Sequence, residues 1–235
     1  MVRFIKLLFV IFAVFYCHKD ILAQKKADTL QKIATKKSTA NWLELKPTTN
    51  LKASQLIGEY KTAFGLSDDD DLQFLKSKTD NLGYTHQRFR QFHAGIEVEG
   101  AVLVVHERNG RVEKVNGHLS ENISINVIPT LNEFEATEQA LFHIDATAYA
   151  WENADMERAF QNYKNDAEAS LYPTGKLVVL SPDFSPQLTD FQLVYKFDIY
   201  ANEPHERWHI YIDAHTGDEI LRISQICSLC ESTAV

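Results

Sequence analysis

The nine histidines and three cysteines are the residues best suited to metal binding or catalysis. A zinc hydrolase needs two imidazoles that face one ion, which H-E-x-x-H provides on a helix, and neither this motif nor its inverse occurs. His205 and His209 are four residues apart, but the alternation from Trp208 predicts a strand, which separates them by about 13 Å. His86 and His93 have an odd separation and face opposite sides of a strand. No metal site is predicted.

Nucleophilic and phosphate-binding motifs are also absent, since there is no G-x-S-x-G and no glycine-rich phosphate loop. Cys227 and Cys230 form a C-x-x-C pair, which is a redox motif, half of a zinc site or an incidental feature of the tail. The pair follows a predicted strand rather than preceding a helix, and no second pair completes a zinc site. The sequence therefore predicts a chain that is not an enzyme and holds no cofactor.

The composition indicates a folded, acidic protein. The chain has 235 residues, of which 45% are hydrophobic, and a formal net charge of -8. These values exclude disorder, and no run of Lys and Arg indicates nucleic-acid binding. Residues 1–23 have the pattern of a secretory signal peptide, with Arg3 and Lys6 before an apolar run that is too short to span a bilayer. Cleavage is expected between Ala23 and Gln24, giving a secreted product without a stable membrane anchor.

The elements that follow predict an α+β fold with two small domains. Residues 24–50 are a polar lead-in, and a helix from Leu51 ends at Gly65. The acidic run at residues 68–71 is predicted to be a solvated turn rather than a calcium loop. Strands cover residues 72–119, with turns at Ala94-Gly95 and Asn109-Gly110.

The second half begins after a boundary at residues 121–131. Helices are predicted over Glu133–Tyr149, with Asn132 as N-cap, and over Ala154–Tyr163. Strands follow at residues 176–180, 191–200, 207–213 and 219–226. Helices and strands occur in separate runs, which favours antiparallel sheets packed with helix.

The segment from Tyr84 to His106, with Gly110-Arg111-Val112 and residues 115–118, resembles the fungalysin/thermolysin propeptide (FTP) domain. The resemblance covers residues 51–121. Its motif positions in this sequence are Tyr84, His86, Arg88, Gln91, Gly95, Val98, Glu99, Gly100, His106, Asn116 and Gly117. For His86, Arg88, Gln91, Glu99 and His106, the alternatives are a role toward a partner and a role within the sheet.

The stretch from Trp208 to Leu221 resembles the closing hairpin of a PepSY domain, with its turn at Asp213, Thr216 and Gly217. Residues 172–180 and 193–200 are similar to the PepSY part of bacterial thermolysin-like pro-regions. This second resemblance covers residues 131–223. In the resembled family both domains are cystatin-like, and residues 224–235 would link them to a peptidase domain that this chain lacks.

The resemblance implies the pro-region of a secreted thermolysin-like zinc metallopeptidase, truncated before its catalytic domain. Such a pro-region assists folding of the peptidase domain, inhibits its active site temporarily and is removed by proteolysis. Zinc and calcium are expected only in the missing peptidase domain, which is the expected partner. The predicted inhibitory tail spans residues 223–229, with processing at Gln225-Ile226 or Ser228-Leu229.

Two other functions are considered for this sequence. A second hypothesis is that the chain acts in trans as a secreted inhibitor of extracellular metallopeptidases, with no peptidase of its own. A ligand-binding exported module is a third possibility, but the sequence has no apolar excess beyond what its cores require.

Overall fold

The computed structural model describes residues 29–35, 38, 42–185 and 187–226. Antiparallel strands dominate and the helices lie in separate runs, so the predicted α+β class is confirmed. The chain divides into two compact units, residues 1–123 and 124–235. The predicted signal peptide with its Ala23-Gln24 bond lies outside the described residues, as do Cys227, Ser228, Leu229 and Cys230.

The first unit is an antiparallel sheet in the order β1-β5-β4-β3-β2, accompanied by helix α1. Its elements are β1 (Trp42–Glu44), α1 (Ala53–Tyr60), β2 (Asp70–Thr79), β3 (Tyr84–His93), β4 (Ile96–Arg108) and β5 (Arg111–His118). A 3-10 turn extends α1 and ends at Gly65, whose φ of 81° closes the helix as predicted.

Both predicted hairpin turns of the first unit are confirmed. Ala94 and Gly95 connect β3 to β4 with φ values of 48° and 82°, and Asn109 and Gly110 connect β4 to β5 with 52° and 73°. Two consecutive positive φ values match the right-handed twist of the flanking strands, and Asn and Gly adopt them readily.

One face of this sheet packs on α1 and forms the core. Leu56 of α1 is fully buried against Phe89, Leu103, Val105 and Val115. Burial of a side chain such as Phe89 stabilises the fold by about 1.5–3 kcal/mol. The alternate residues of the same strands form the opposite face, which we call the outer face.

The acidic run differs from its prediction at one residue. Asp68 and Asp69 form an exposed turn, as expected, but Asp70 begins β2 and is only 2% exposed. Its carboxylate can be buried because Ser67, Gln91 and His93 form hydrogen bonds with it. These bonds take the place of the water that would solvate it in an exposed turn.

The second unit has a four-stranded antiparallel sheet, β7-β8-β9-β10, with β6 paired to the end of β8. Its fully buried side chains include Phe197, Ile199 and Ile210. Its elements are α2 (Glu133–Ile144), β6 (Ala148–Tyr149), α3 (Ala154–Lys164), β7 (Lys176–Leu180), β8 (Gln192–Glu203), β9 (Glu206–Asp213) and β10 (Glu219–Ser224).

The helix α2 is shorter than predicted. Asn132 is its N-cap, as expected, and its side chain accepts a hydrogen bond from the Glu135 amide at 3.0 Å. The helix ends at Ile144 rather than Tyr149, because Asp145 adopts a left-handed conformation and residues 148–149 pair with β8. The pairing with β8 was not visible in the local helical pattern.

Gly117 lies where β5 approaches β4 so closely that a side chain has no room. Its φ is 134°, and a Cβ would collide with the Val102 carbonyl oxygen. We predict that Gly117→Ala lowers the free energy of unfolding by about 2–4 kcal/mol, because β5 must move away from β4.

Gly58→Ala is the matched control. Gly58 lies inside α1 with no neighbouring atom within 4 Å of a new Cβ, so this methyl group should stabilise by about 0.5–1 kcal/mol. Urea denaturation of both variants measures the difference. Equal effects at the two glycines would show that the close approach at Gly117 is unimportant.

Candidate functional site

A chain of polar side chains crosses the outer face of the first unit. His86 Nδ1 lies 2.6 Å from His106 Nδ1, and His86 Nε2 lies 3.1 Å from Asp80 Oδ2. At the other end, His106 Nε2 lies 2.7 Å from Asn116 Oδ1. The register places His86 directly opposite His106, so the strand pairing itself creates the histidine contact.

Hydrogen-bond geometry assigns the protons of the His106 ring. The Asn116 carbonyl oxygen can only accept, so His106 Nε2 donates to it and His106 Nδ1 is left as the acceptor. His86 Nδ1 then donates to His106 Nδ1. A second proton on the His106 ring would set two N–H groups against each other and break this contact.

The pKa of His106 agrees with a neutral ring. Burial lowers this pKa below its ordinary value of 6.5, while the hydrogen bond to Asn116 acts in the opposite direction. Neighbouring positive charges lower it further, and they belong to His86, Lys114 and Arg88.

Aromatic rings pack around the histidine pair. Trp42 stacks on His106 with ring centroids 5.3 Å apart and is 44% exposed. Tyr84 stacks on His86, and its hydroxyl donates to Glu113 Oε2 at 2.8 Å. These contacts hold both imidazoles in place at the surface.

A second polar cluster lies inside the first unit and involves Gln91, which is fully buried. Its Nε2 donates to the Ser120 carbonyl at 2.7 Å and to Asp70 Oδ1 at 3.3 Å, while its Oε1 accepts from the Ser120 amide at 2.8 Å. His93 Nδ1 also contacts Asp70 Oδ1 at 3.0 Å. The cluster ties β3 to the start of β2 and to the segment after β5.

Asp70 is ionised in this cluster despite its burial. Burial opposes the charge, but hydrogen bonds from the Ser67 hydroxyl and amide, with those from His93 and Gln91, outweigh it and lower the pKa of Asp70.

The other motif positions of the first unit do not join these clusters as one site. Val98 is buried in the unit, Arg88 is exposed on the outer face, and Glu99 is half-buried. Gly95, Gly100 and Gly117 all have positive φ values, of 82°, 77° and 134°. Within the described residues, no three His, Cys, Asp or Glu side chains lie close enough together to hold a metal ion.

In the second unit, the turn predicted at Asp213, Thr216 and Gly217 connects β9 to β10. Asp213 Oδ1 accepts from the amides of His215 and Thr216 at 2.7 and 2.9 Å. Gly217 has a φ of 82° and donates its amide to the Asp213 carbonyl. The arrangement is that of a structural turn.

The predicted tail begins later than expected. Ile223 and Ser224 belong to β10, and the Gln225 amide donates to the Arg207 carbonyl at 2.8 Å. The sheet therefore holds the chain up to Gln225, because β10 continues the pairing with β9. Ile226 is the last described residue, so the Gln225-Ile226 bond lies at the end of the strand.

Sequence reasoning missed two members of the outer-face chain. Asp80 Oδ1 accepts from the amides of Leu82 and Tyr84, so its side chain closes the β2-β3 turn while its other oxygen contacts His86. An Asp three residues before Gly83 is a turn pattern that could have indicated it. Trp42 was assigned to a loose lead-in, and only its pairing with Asn116 places it beside His106.

Comparison with known proteins finds a family motif within the first unit. Residues 70–119 match the model of the Fungalysin/Thermolysin Propeptide Motif. These residues carry the FTP motif. The expected family of the motif that contains His86, Gln91 and His106 is therefore confirmed, while the roles of these residues stay predictions.

The chain is similar to thermolysin and bacillolysin sequences over different lengths. It is 39% identical to thermolysin of Alicyclobacillus acidocaldarius over 59 residues, which are 25% of this chain and 11% of that protein. It is 24% identical to bacillolysin of Bacillus amyloliquefaciens over 180 residues, 74% of this chain and 31% of that protein. The matches thus span about a tenth to a third of these relatives. The bacillolysin match is longer than the first unit, so it extends into the second.

Among solved structures, the Bacillus megaterium YpeB C-terminal domain aligns with 82% of this chain and 74% of its own, at 12% identity and a TM-score of 0.34. The PepSY resemblance of residues 131–223 stays a prediction. No helix among the described residues has the length and apolar content needed to cross a bilayer.

The histidine pair predicts that acid destabilises the FTP domain. The folded-state pKa of His106 lies below its ordinary value of 6.5, so protonation favours the unfolded chain. Its stabilising contribution is fully present above pH 6.5 and is lost as the pH falls toward the lower folded-state pKa. Urea unfolding at pH 7.5, 6.0 and 5.0, followed by tryptophan fluorescence, measures this loss.

The variant His106→Gln should lose less stability than the wild type over this pH range. The control His205→Gln changes an exposed turn residue and should keep the wild-type pH dependence. Identical pH profiles for all three proteins would contradict the proton assignment.

We predict that loss of the buried side-chain amide of Gln91 strongly lowers the stability of the first unit. Replacing Gln91 by Ala removes its two buried hydrogen bonds with the Ser120 amide and carbonyl, and each lost bond costs about 1–3 kcal/mol. We expect Gln91→Ala to lower the free energy of unfolding by about 3 kcal/mol or more. The control Gln73→Ala, at an exposed position of β2, should change it by less than about 0.5 kcal/mol.

Proposed function

We propose that this chain is the pro-region of a secreted thermolysin-like zinc metallopeptidase. In this role it assists folding of the peptidase domain, inhibits the active site temporarily and is removed by proteolysis. The FTP domain at residues 70–119 is the observation that carries the proposal. The similarity to bacillolysin over 180 residues supports a pro-region that extends beyond this domain.

Folding assistance requires a binding surface rather than catalytic groups. A protein that binds the native-like state of a partner and not its unfolded state stabilises that state by mass action. The first unit offers such a surface at β2, which within the described part of the chain pairs with β3 alone. Phe74 and Leu82 are 59% and 73% exposed at this edge.

An edge strand suits an interaction with a peptidase. Its outward N–H and C=O groups can add a strand of the partner, while exposed apolar side chains bury area at the same time. The lysines of β2, Lys76 and Lys78, disfavour pairing of the edge with a second copy of itself.

Processing and export complete the proposal. Signal cleavage after Ala23 would release the chain outside the cell. Cleavage at Gln225-Ile226 would release the two units with β10 intact, since the strand ends at Ser224. Ser228-Leu229 is the other candidate bond. Zinc and calcium would bind the peptidase domain rather than this chain.

A refolding experiment tests the folding role. A thermolysin-like peptidase domain is unfolded in guanidinium chloride and diluted into buffer with or without an equimolar amount of this chain. Hydrolysis of a peptide substrate is measured after the chain has been cleaved, which ends its inhibition. We expect the recovered hydrolysis to be at least tenfold higher with the chain than without it, because it stabilises the native-like peptidase domain during refolding. Gly58→Ala should act like the wild type, and Gly117→Ala should be weaker because its FTP domain is destabilised.

Recovery that is the same with this chain as with an unrelated acidic protein would contradict the folding role. Inhibition of mature peptidases without any effect on refolding would instead support the trans-acting inhibitor.

A further inference from the structure

The outer face of the first unit carries two rows of side chains that only the strand register brings together. The rows cross the sheet at about 4.8 Å per strand, so each is about 19 Å long. From β2 to β1, the first row is Lys78, His86, His106, Lys114 and Glu44, and the second row is Lys76, Arg88, Val104, Asn116 and Trp42.

Four permanent cations of these rows form what we call the basic face: Lys76, Lys78, Arg88 and Lys114. All four are exposed. The two histidines lie between them, whereas Glu44 is the single carboxylate of the rows. This concentration of positive charge stands in a chain whose net charge is -8.

Two cations of the basic face repel each other within the unit. Lys76 is directly opposite Arg88, and like charges directly opposite each other destabilise a sheet. Among the described residues, none of the four cations has a carboxylate at ion-pair distance. The unit therefore keeps an unfavourable arrangement of charges that a partner could neutralise.

Trp42 adds an anchor beside these charges. It is 44% exposed, lies at the end of the second row and is held by its stack on His106. Tryptophan is over-represented among the residues that contribute most to protein–protein binding. Tryptophan of this kind favours a folded protein partner over a diffuse polyanion.

We infer that the basic face binds a carboxylate-rich surface of the peptidase domain, with Trp42 inserted at its edge. The inference rests on the proposed function and names the chemistry of the docking surface. Acidic side chains spaced along a helix or across strands would meet the two rows, replace the missing carboxylates and relieve the repulsion between Lys76 and Arg88. Electrostatic attraction of this kind raises the association rate and depends on salt.

The variant Lys76→Glu separates binding from stability. It places opposite charges at the Lys76–Arg88 pair, so the melting temperature should stay equal or rise. The association rate with mature thermolysin, measured by surface plasmon resonance in 20 mM salt, should fall about three- to tenfold. The difference should disappear in 500 mM salt, where charges are screened within a few ångströms.

Lys32→Glu is the matched control, because it makes the same charge change at an exposed position outside the two rows. Its association rate should stay within about twofold of the wild-type value. Equal losses for Lys76→Glu and Lys32→Glu would overturn the inference, since net charge alone would then explain them.

Zero-length carbodiimide cross-linking gives an independent measurement, because it joins a lysine amine to a carboxylate in contact with it. We expect Lys76, Lys78 and Lys114 to couple to Asp or Glu of thermolysin. Coupling only through lysines outside the basic face would overturn the inference. So would binding of heparin or of phosphatidylserine vesicles through these lysines when thermolysin does not compete.

The binding measurements distinguish failure of the docking surface from failure of the proposed function. If the wild-type chain binds thermolysin and Lys76→Glu has no effect at low salt, the docking surface is wrong while the proposed function stands. If the wild-type chain does not bind thermolysin, both are contradicted.

Discussion

The register between β3 and β4 is the constraint on which the first unit depends. It places Phe89 opposite Leu103 in the core and, one residue away, Arg88 opposite Val104 on the outer face. A slip by one residue would move every side chain of β3 to the other face, burying Arg88 and exposing Phe89. The apolar residues thus fix the register, and the register in turn creates the contact between His86 and His106. Stability and the surface chemistry of this unit have the same origin.

Local patterns were sufficient wherever neighbouring residues decide the structure. Asn109-Gly110 predicted a hairpin because this pair readily adopts two positive φ values, and Asn132 predicted a helix start because its side chain caps an amide. The FTP motif also lies in one continuous stretch, so its family was visible from residues 84–118 alone. Long-range pairing was not visible. It ends α2 at Ile144 and buries Asp70.

The outer face shows the same limit most clearly. No run of basic residues occurs in the sequence, because Lys76, Arg88 and Lys114 belong to three different strands. Each is an ordinary surface residue of its own strand, and only the pairing assembles them. Trp42 is a similar case, since its strand has three residues and is defined by its partner β5. Surfaces built across strands therefore require the sheet, whereas turns and helix caps require a few residues.

A pro-region must bind its peptidase well enough to guide folding, yet remain removable. The described units have well-packed cores and a polar outer face, and the proposed processing bond follows the end of β10. The most direct test of the account is the time course of peptide hydrolysis by mature thermolysin mixed with an excess of this chain. The account predicts an inhibited phase that ends when gel samples show the chain has been cleaved. Hydrolysis at the uninhibited rate from the first minute, with the chain still intact, would contradict it.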